Sequence, residues 1–219
     1  MTKPYLRARI RPEPPPPRPL LALAGALAWI AATIAAEWLG VWPAIGGAAL
    51  LLAIIVLAFD REAARILLKL RPEHFVVGFV TGFLMAAATI LIYLPLSRIA
   101  PVIAADAAGL YDAFRGLSPI LAILALAPVV LGEELVWRGV VQTALMRRAG
   151  TVAGVLLSAA AYSLAQAPLG SAILMLVAFG CGLIWSLLRL ATGSLIPPLV
   201  AHLVWSLVVL QWRPLVSLP

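Results

Sequence analysis

The sequence predicts an all-α fold, a polytopic transmembrane bundle of about seven helices. Three observations carry that expectation. Of 219 residues, 63% are hydrophobic and 11% are charged, against about 45–50% and about 25% in a soluble domain. The apolar residues fall in long blocks, close to the roughly 20 residues that a helix needs to cross a bilayer. A single cysteine, Cys181, and two histidines, His74 and His202, leave neither a disulfide framework nor a multi-ligand zinc site.

The elements follow in order. Residues 1–19 form a basic tail in which Arg11-Pro-Glu-Pro-Pro-Pro-Pro-Arg-Pro19 reads as polyproline II, because proline fixes φ and removes donors. An integral membrane domain over 20–219 follows. Its expected spans are Leu20–Leu39, Ala44–Phe59, Phe75–Pro95, Pro119–Gly132 running on toward Met146, Val152–Gln166, Ser171–Leu190 and Leu195–Trp212. The first lacks the small-residue cleavage site of a signal peptide and is expected to be retained. Between the second and third, Asp60–Arg71 mixes Ala64, Leu67 and Leu68 with Arg61, Arg65 and Lys69, as an interfacial helix on anionic lipid does. A single helix over Pro119–Arg148 would be about 45 Å long, so it must tilt, break or protrude from a core of about 30 Å.

Positive charge sets the orientation. Twelve Lys and Arg residues lie in the tail and in alternate loops, and only Arg98, Arg115 and Arg213 lie on the other side. That bias places the N-terminus in the cytoplasm. The same loops account for the net charge of +7 without a nucleic-acid partner. Only Lys3 and Lys69 are lysines; with the heavy Ala and Leu usage this points to a bacterial plasma (inner) membrane.

Ionisable groups inside a span are costly and by default suggest function. The fourth segment carries Gly132-Glu-Glu-Leu-Val-Trp-Arg-Gly139. Glu134 and Arg138, four apart, share a helical face and can pair. Glu133 lies about 140° around from Arg138 and needs another partner. The alternatives are a structural charge network pinning helix register or a carboxylate holding a water in an apolar cavity. Arg147-Arg-Ala-Gly150 marks a tight turn, and residues equidistant from it share a depth, which sets Gln166 opposite Glu133. Tyr162 and Gln166 share a face, and the small residues Ser158-Ala-Ala-Ala161 allow close backbone approach. Gln166 could equally be a helix-end amide bonded to backbone at the Pro168-Leu-Gly170 turn. The seventh segment adds His202, with Ser206 one turn later. Gly78-Phe-Val-Thr-Gly82 is a GxxxG suited to packing within the bundle or to a dimer face. Cys181, mid-helix, reads as an inert buried thiol.

On these residues, over about 119–212, the chain resembles the CPBP family of intramembrane proteases, which includes CAAX prenyl endopeptidases and Abi-like proteins. Its Glu-Glu-x-x-x-Arg signature is present as Glu133, Glu134 and Arg138. An aromatic followed four residues later by histidine corresponds to Tyr162 and Gln166, so that histidine is replaced. A histidine followed four residues later by asparagine corresponds to His202 and Ser206. The resemblance implies a glutamate mechanism with no metal or cofactor, acting on a membrane-anchored protein or peptide. Glu133 would be the base, Glu134 and Arg138 its positioning pair, and His202 an oxyanion donor, with Ser206 in place of the asparagine. An amide at Gln166 can hold a water but cannot take its proton. Two functions therefore follow: an endopeptidase, or a catalytically impaired pseudoprotease that binds a transmembrane peptide or partner protein.

Overall fold

The computed structural model describes residues 18–113 and 119–215; most of the proline-rich tail lies outside them. The described residues are helical throughout, apart from short turns. Helix α1 (Pro19–Leu39) enters on a proline and ends at Gly40. A π-helical turn at Trp42–Gly46 leads into α2 (Gly47–Phe59). Then come α3 (Arg61–Leu67), α4 (Pro72–Ile99), α5 (Pro101–Ala113), α6 (Pro119–Glu134), a π-helical segment at Leu135–Val141 and α7 (Gln142–Ala149). Helix α8 (Thr151–Leu164), a 3-10 turn at Ala167–Leu169, α9 (Ala172–Thr192), α10 (Ile196–Leu207) and a π-helical turn at Val208–Trp212 complete the chain.

Six stretches are long and apolar enough to cross a membrane, and a seventh, Ile196–Trp212, is apolar but shorter. The expectation of about seven membrane helices is met in this form. Large aliphatic and aromatic side chains such as Leu23, Ile54, Phe79, Leu124 and Leu176 lie on the outside, as a lipid-facing surface requires and a water-facing one would not tolerate. The fourth stretch, Ile120–Ala149, is one apolar run of 30 residues, in which the π-helical segment Leu135–Val141 separates α6 from α7. Helix α5, absent from the expected elements, is a 13-residue helix too short to span.

Backbone proximity holds the bundle together. A Cβ on Gly78 would sit 2.6 Å from the Pro197 carbonyl oxygen, and one on Gly82 would sit 2.7 Å from that of Ala201. The GxxxG is thus an intramolecular seam that presses α4 onto α10, the helix that carries His202. Gly132 meets the Ala49 backbone of α2, and Gly154 meets Met146 of α7, equally closely. The turn expected at Arg147–Gly150 is present, with Gly150 at φ 86°, a conformation open to glycine at little cost.

Helix α3 covers part of the Asp60–Arg71 stretch. Its apolar face packs on protein: Ala63, Ala64 and Leu67 are buried, and the Leu67 carbonyl accepts from the Leu195 N–H at 2.8 Å and the Ser194 hydroxyl at 3.1 Å. That hydroxyl accepts in turn from the Ile196 N–H at 3.1 Å. The start of α10 is pinned on both sides.

Candidate active site

The site forms where the end of α6 and the π-helical segment meet α8, α9 and α10. In a π-helix the hydrogen bond reaches five residues back, and here the Gln142 N–H donates to the Trp137 carbonyl. Such segments are rare and recur at functional sites. This one follows directly on Glu133 and Glu134. Every residue from Leu135 to Val141 is buried. The Ser158 hydroxyl of α8 donates to the Trp137 carbonyl as well, at 3.2 Å, so the small-residue run on α8 lies against the wide turn.

Glu134 and Arg138 pair as their spacing predicts: Arg138 Nη1 donates to Glu134 Oε1 at 3.0 Å, both side chains being buried. The same oxygen meets His202 Nδ1 at 2.9 Å. An ionised carboxylate only accepts, so that contact places a proton on Nδ1. The other ring nitrogen, Nε2, lies 3.4 Å from Glu133 Oε2. The imidazole from α10 therefore stands between the two adjacent carboxylates. The partner that Glu133 needs is His202, joined by Tyr162, whose side chain hydrogen-bonds Glu133.

Aromatic rings complete the enclosure. Trp185 of α9 stacks on His202, with centroids 3.7 Å apart and planes 18° apart. The Arg138 guanidinium carbon lies 4.4 Å from the Tyr162 centroid and 5.0 Å from that of Trp185. A weakly hydrated, planar cation suits such surroundings. Gly182, one turn before Trp185, makes room for the guanidinium: a Cβ there would lie 3.0 Å from Arg138 Nη2. Sequence reasoning missed Trp185 because an aromatic in an apolar span carries no signal of its own. It also missed Gln142, fully buried, which donates to the Ser186 carbonyl at 3.0 Å.

Gln166 lies just beyond α8, at the entry to the 3-10 turn, and so shares no continuous helical face with Tyr162. Both nevertheless line one cavity with Glu133, His202 and Ser206. The Gln166 amide Nε2 is buried and has no partner among the described residues. The six residues singled out from the sequence thus lie together: Arg138 and His202 are each bonded to Glu134, and Gln166 and Ser206 lie on the cavity wall with Glu133. Cys181 is buried and lies off the cavity wall. Among the described residues no group of three or more His, Cys, Asp or Glu could hold a metal ion.

Fold and site together define a polytopic membrane protein with a carboxylate–imidazole centre sequestered inside its bundle. Residues 115–208 match the family model described as Type II CAAX prenyl endopeptidase Rce1-like. The resemblance read from the sequence is borne out over that stretch, and at the level of the family it supports a CAAX-type intramembrane protease. No curated protein and no solved structure matches the chain.

Proposed function

We propose that this chain is an intramembrane endopeptidase that cuts a membrane-associated protein or peptide with a water activated by Glu133. The observation that carries this reading is the placement of His202 between Glu133 and Glu134 at the inner end of an apolar cavity. Arg138 and Glu134 cancel in charge. Glu133 and His202 also sum to zero, either as carboxylate and imidazolium or as carboxylic acid and imidazole. A proton can cross between them without changing the net charge of a buried site, which avoids the cost of an unpaired ion there.

Glu133 is available as a base in the first of these states, with His202 as imidazolium. Water bound at Glu133 attacks the peptide carbonyl carbon, and its proton passes to the Glu133 carboxylate while His202 keeps the proton it holds. The new C–O bond forms, the carbonyl oxygen becomes an oxyanion, and the free N–H of Gln166 and the hydroxyl of Ser206 are the donors available to it. Collapse of the intermediate breaks the C–N bond. The stored proton goes to the leaving amine, and the other product is a carboxylic acid. Gln166 acts in this scheme as a hydrogen-bond donor rather than a base.

Replacing Glu133 by Gln preserves size and removes the base. Processing of a membrane-anchored reporter peptide in proteoliposomes should fall by about 10²-fold or more. Undiminished cleavage would discard the mechanism. The substitutions at Gln166 and Ser206 favour a second reading, a pseudoprotease that binds a transmembrane peptide without cutting it. Cleavage that appears only in the double variant Gln166→His with Ser206→Asn supports that reading, and cleavage by the native chain excludes it.

A further inference from the structure

The cavity that begins at Glu133 runs outward between α5, α6, α9 and α10 to Tyr111 and Leu215. Its volume is about 140 Å³. Beyond the polar end its wall is almost wholly aliphatic and aromatic, with Ala107 of α5, Leu126 of α6 and Val177 of α9 among its members. We infer that this cavity is the recognition pocket for one medium-sized apolar side chain, of leucine or phenylalanine size, on the residue beside the bond to be cut. The inference rests on the protease reading above and names what that site selects.

Size, polarity and position carry it. An apolar protein cavity of about 150 Å³ takes up benzene, so a space of about 140 Å³ holds one such group. It is far too small for a long prenyl chain, the group named in the description of the matching family. Peptide backbone does not suit the inner wall, because each buried N–H and C=O needs a partner that aliphatic side chains cannot supply. With the scissile carbonyl held against Glu133 and Gln166, the adjoining side chain is the part of an extended peptide that can enter.

Helix α5, which lines the pocket, is tied to its neighbours. The Tyr111 hydroxyl donates to the Val209 carbonyl at 2.6 Å and accepts from the Leu215 N–H at 3.0 Å, tying α5 to the end of the last helix. Asp106 accepts from the Ile173 N–H at 2.9 Å, tying α5 to the start of α9. Helix α5 lies outside the stretch that matches the family, so this part of the pocket wall is built from residues of this chain beyond that match.

The test uses one reporter peptide in proteoliposomes, with the residue beside the cut varied among Ala, Leu, Phe and S-farnesyl-cysteine. For the native chain kcat/KM should be about tenfold higher or more for Leu or Phe than for Ala or the farnesylated residue, the discrimination that a few buried methylenes supply. Filling the pocket with Ala107→Phe, or independently Val177→Phe, should bring the ratio of kcat/KM for the Leu peptide over the Ala peptide, both measured in the same variant, down to about one. Faster cutting of the farnesylated peptide, or a side-chain preference unmoved by both fillings, overturns the inference. Occupancy is read separately in the Glu133→Gln chain, with photo-leucine at the same position of the peptide. Label on α5 and α6 that both fillings abolish supports the pocket, and label confined to the lipid-facing surface overturns it. Pocket labelling without cleavage by the native chain sinks the protease reading alone.

Discussion

At the scale of single residues, the site is governed by how few ways there are to bury four ionisable groups together. Glu134 accepts from both Arg138 and His202 through one oxygen and so orients the two partners. Removing Arg138 leaves the Glu134 charge uncompensated, at a cost of about 3–5 kcal/mol for a broken buried pair. Arg138→Met should therefore lower the thermal unfolding temperature in detergent as well as activity; an unchanged transition would show that the pair carries no stability. Trp185 is a different case, since it touches no ionisable atom by hydrogen bonding but fixes the plane of the His202 ring. Trp185→Leu removes the stack and the face beneath Arg138. It should depress kcat with KM little changed and shift the pH profile of cleavage, whereas Trp185→Phe restores the stack and most of the rate. A uniform loss in both variants, proportional to unfolding, would assign Trp185 to packing alone. Aromatic contacts of this kind contribute about 0.5–1.5 kcal/mol each.

At the scale of elements, glycine spacing decides which helices meet. Gly78 and Gly82 let α4 lie against the backbone of α10 at Pro197 and Ala201, and His202 follows Ala201 directly. Gly82→Leu should force the two helices apart, cost about 1–3 kcal/mol or more, and reduce cleavage because His202 moves away from Glu133. Gly180→Ala on α9 is the control. A Cβ there meets nothing within 4 Å, so stability should stay within about 0.5 kcal/mol or rise slightly with helix propensity. Chemical denaturation of the purified protein in detergent compares the two. The π-helical segment at Leu135–Val141 shows what periodicity cannot foresee. A strict α-helical count pairs Glu134 with Arg138, as found, but nothing in the order of residues announces the wide turn after Glu134.

At the scale of the whole molecule, the excess of Lys and Arg in alternate loops supports an orientation with the N-terminus in the cytoplasm. Because Cys181 is buried, an introduced cysteine reports cleanly. A membrane-impermeant thiol reagent should reach Arg213→Cys in intact cells and reach Thr2→Cys only after permeabilisation; the opposite pattern reverses the assignment. The bundle also explains why so polar a cluster persists among apolar helices. Six candidate spans and a shorter seventh helix accompany it, and its charged groups are buried and pair with one another through Glu134 rather than facing acyl chains.

The amino-acid order by itself determined the membrane-spanning class, the approximate spans and the Glu134–Arg138 pair, because each depends on hydropathy or on spacing within a single helix. It also picked out Gln166, from its distance to the turn at Arg147–Gly150, and His202 and Ser206, from their spacing and the family resemblance. The tertiary structure decided that the His202 ring bridges both glutamates, that Trp185 lies on that ring, that the GxxxG seats α4 on α10, that α3 packs on protein, and that the short helix α5 lines a cavity beside Glu133. The physical reason is distance along the chain. Contacts between residues 68 positions apart, such as Glu134 and His202, depend on how helices rotate and seat against one another, and that packing is set by the complementary surfaces of all of them at once.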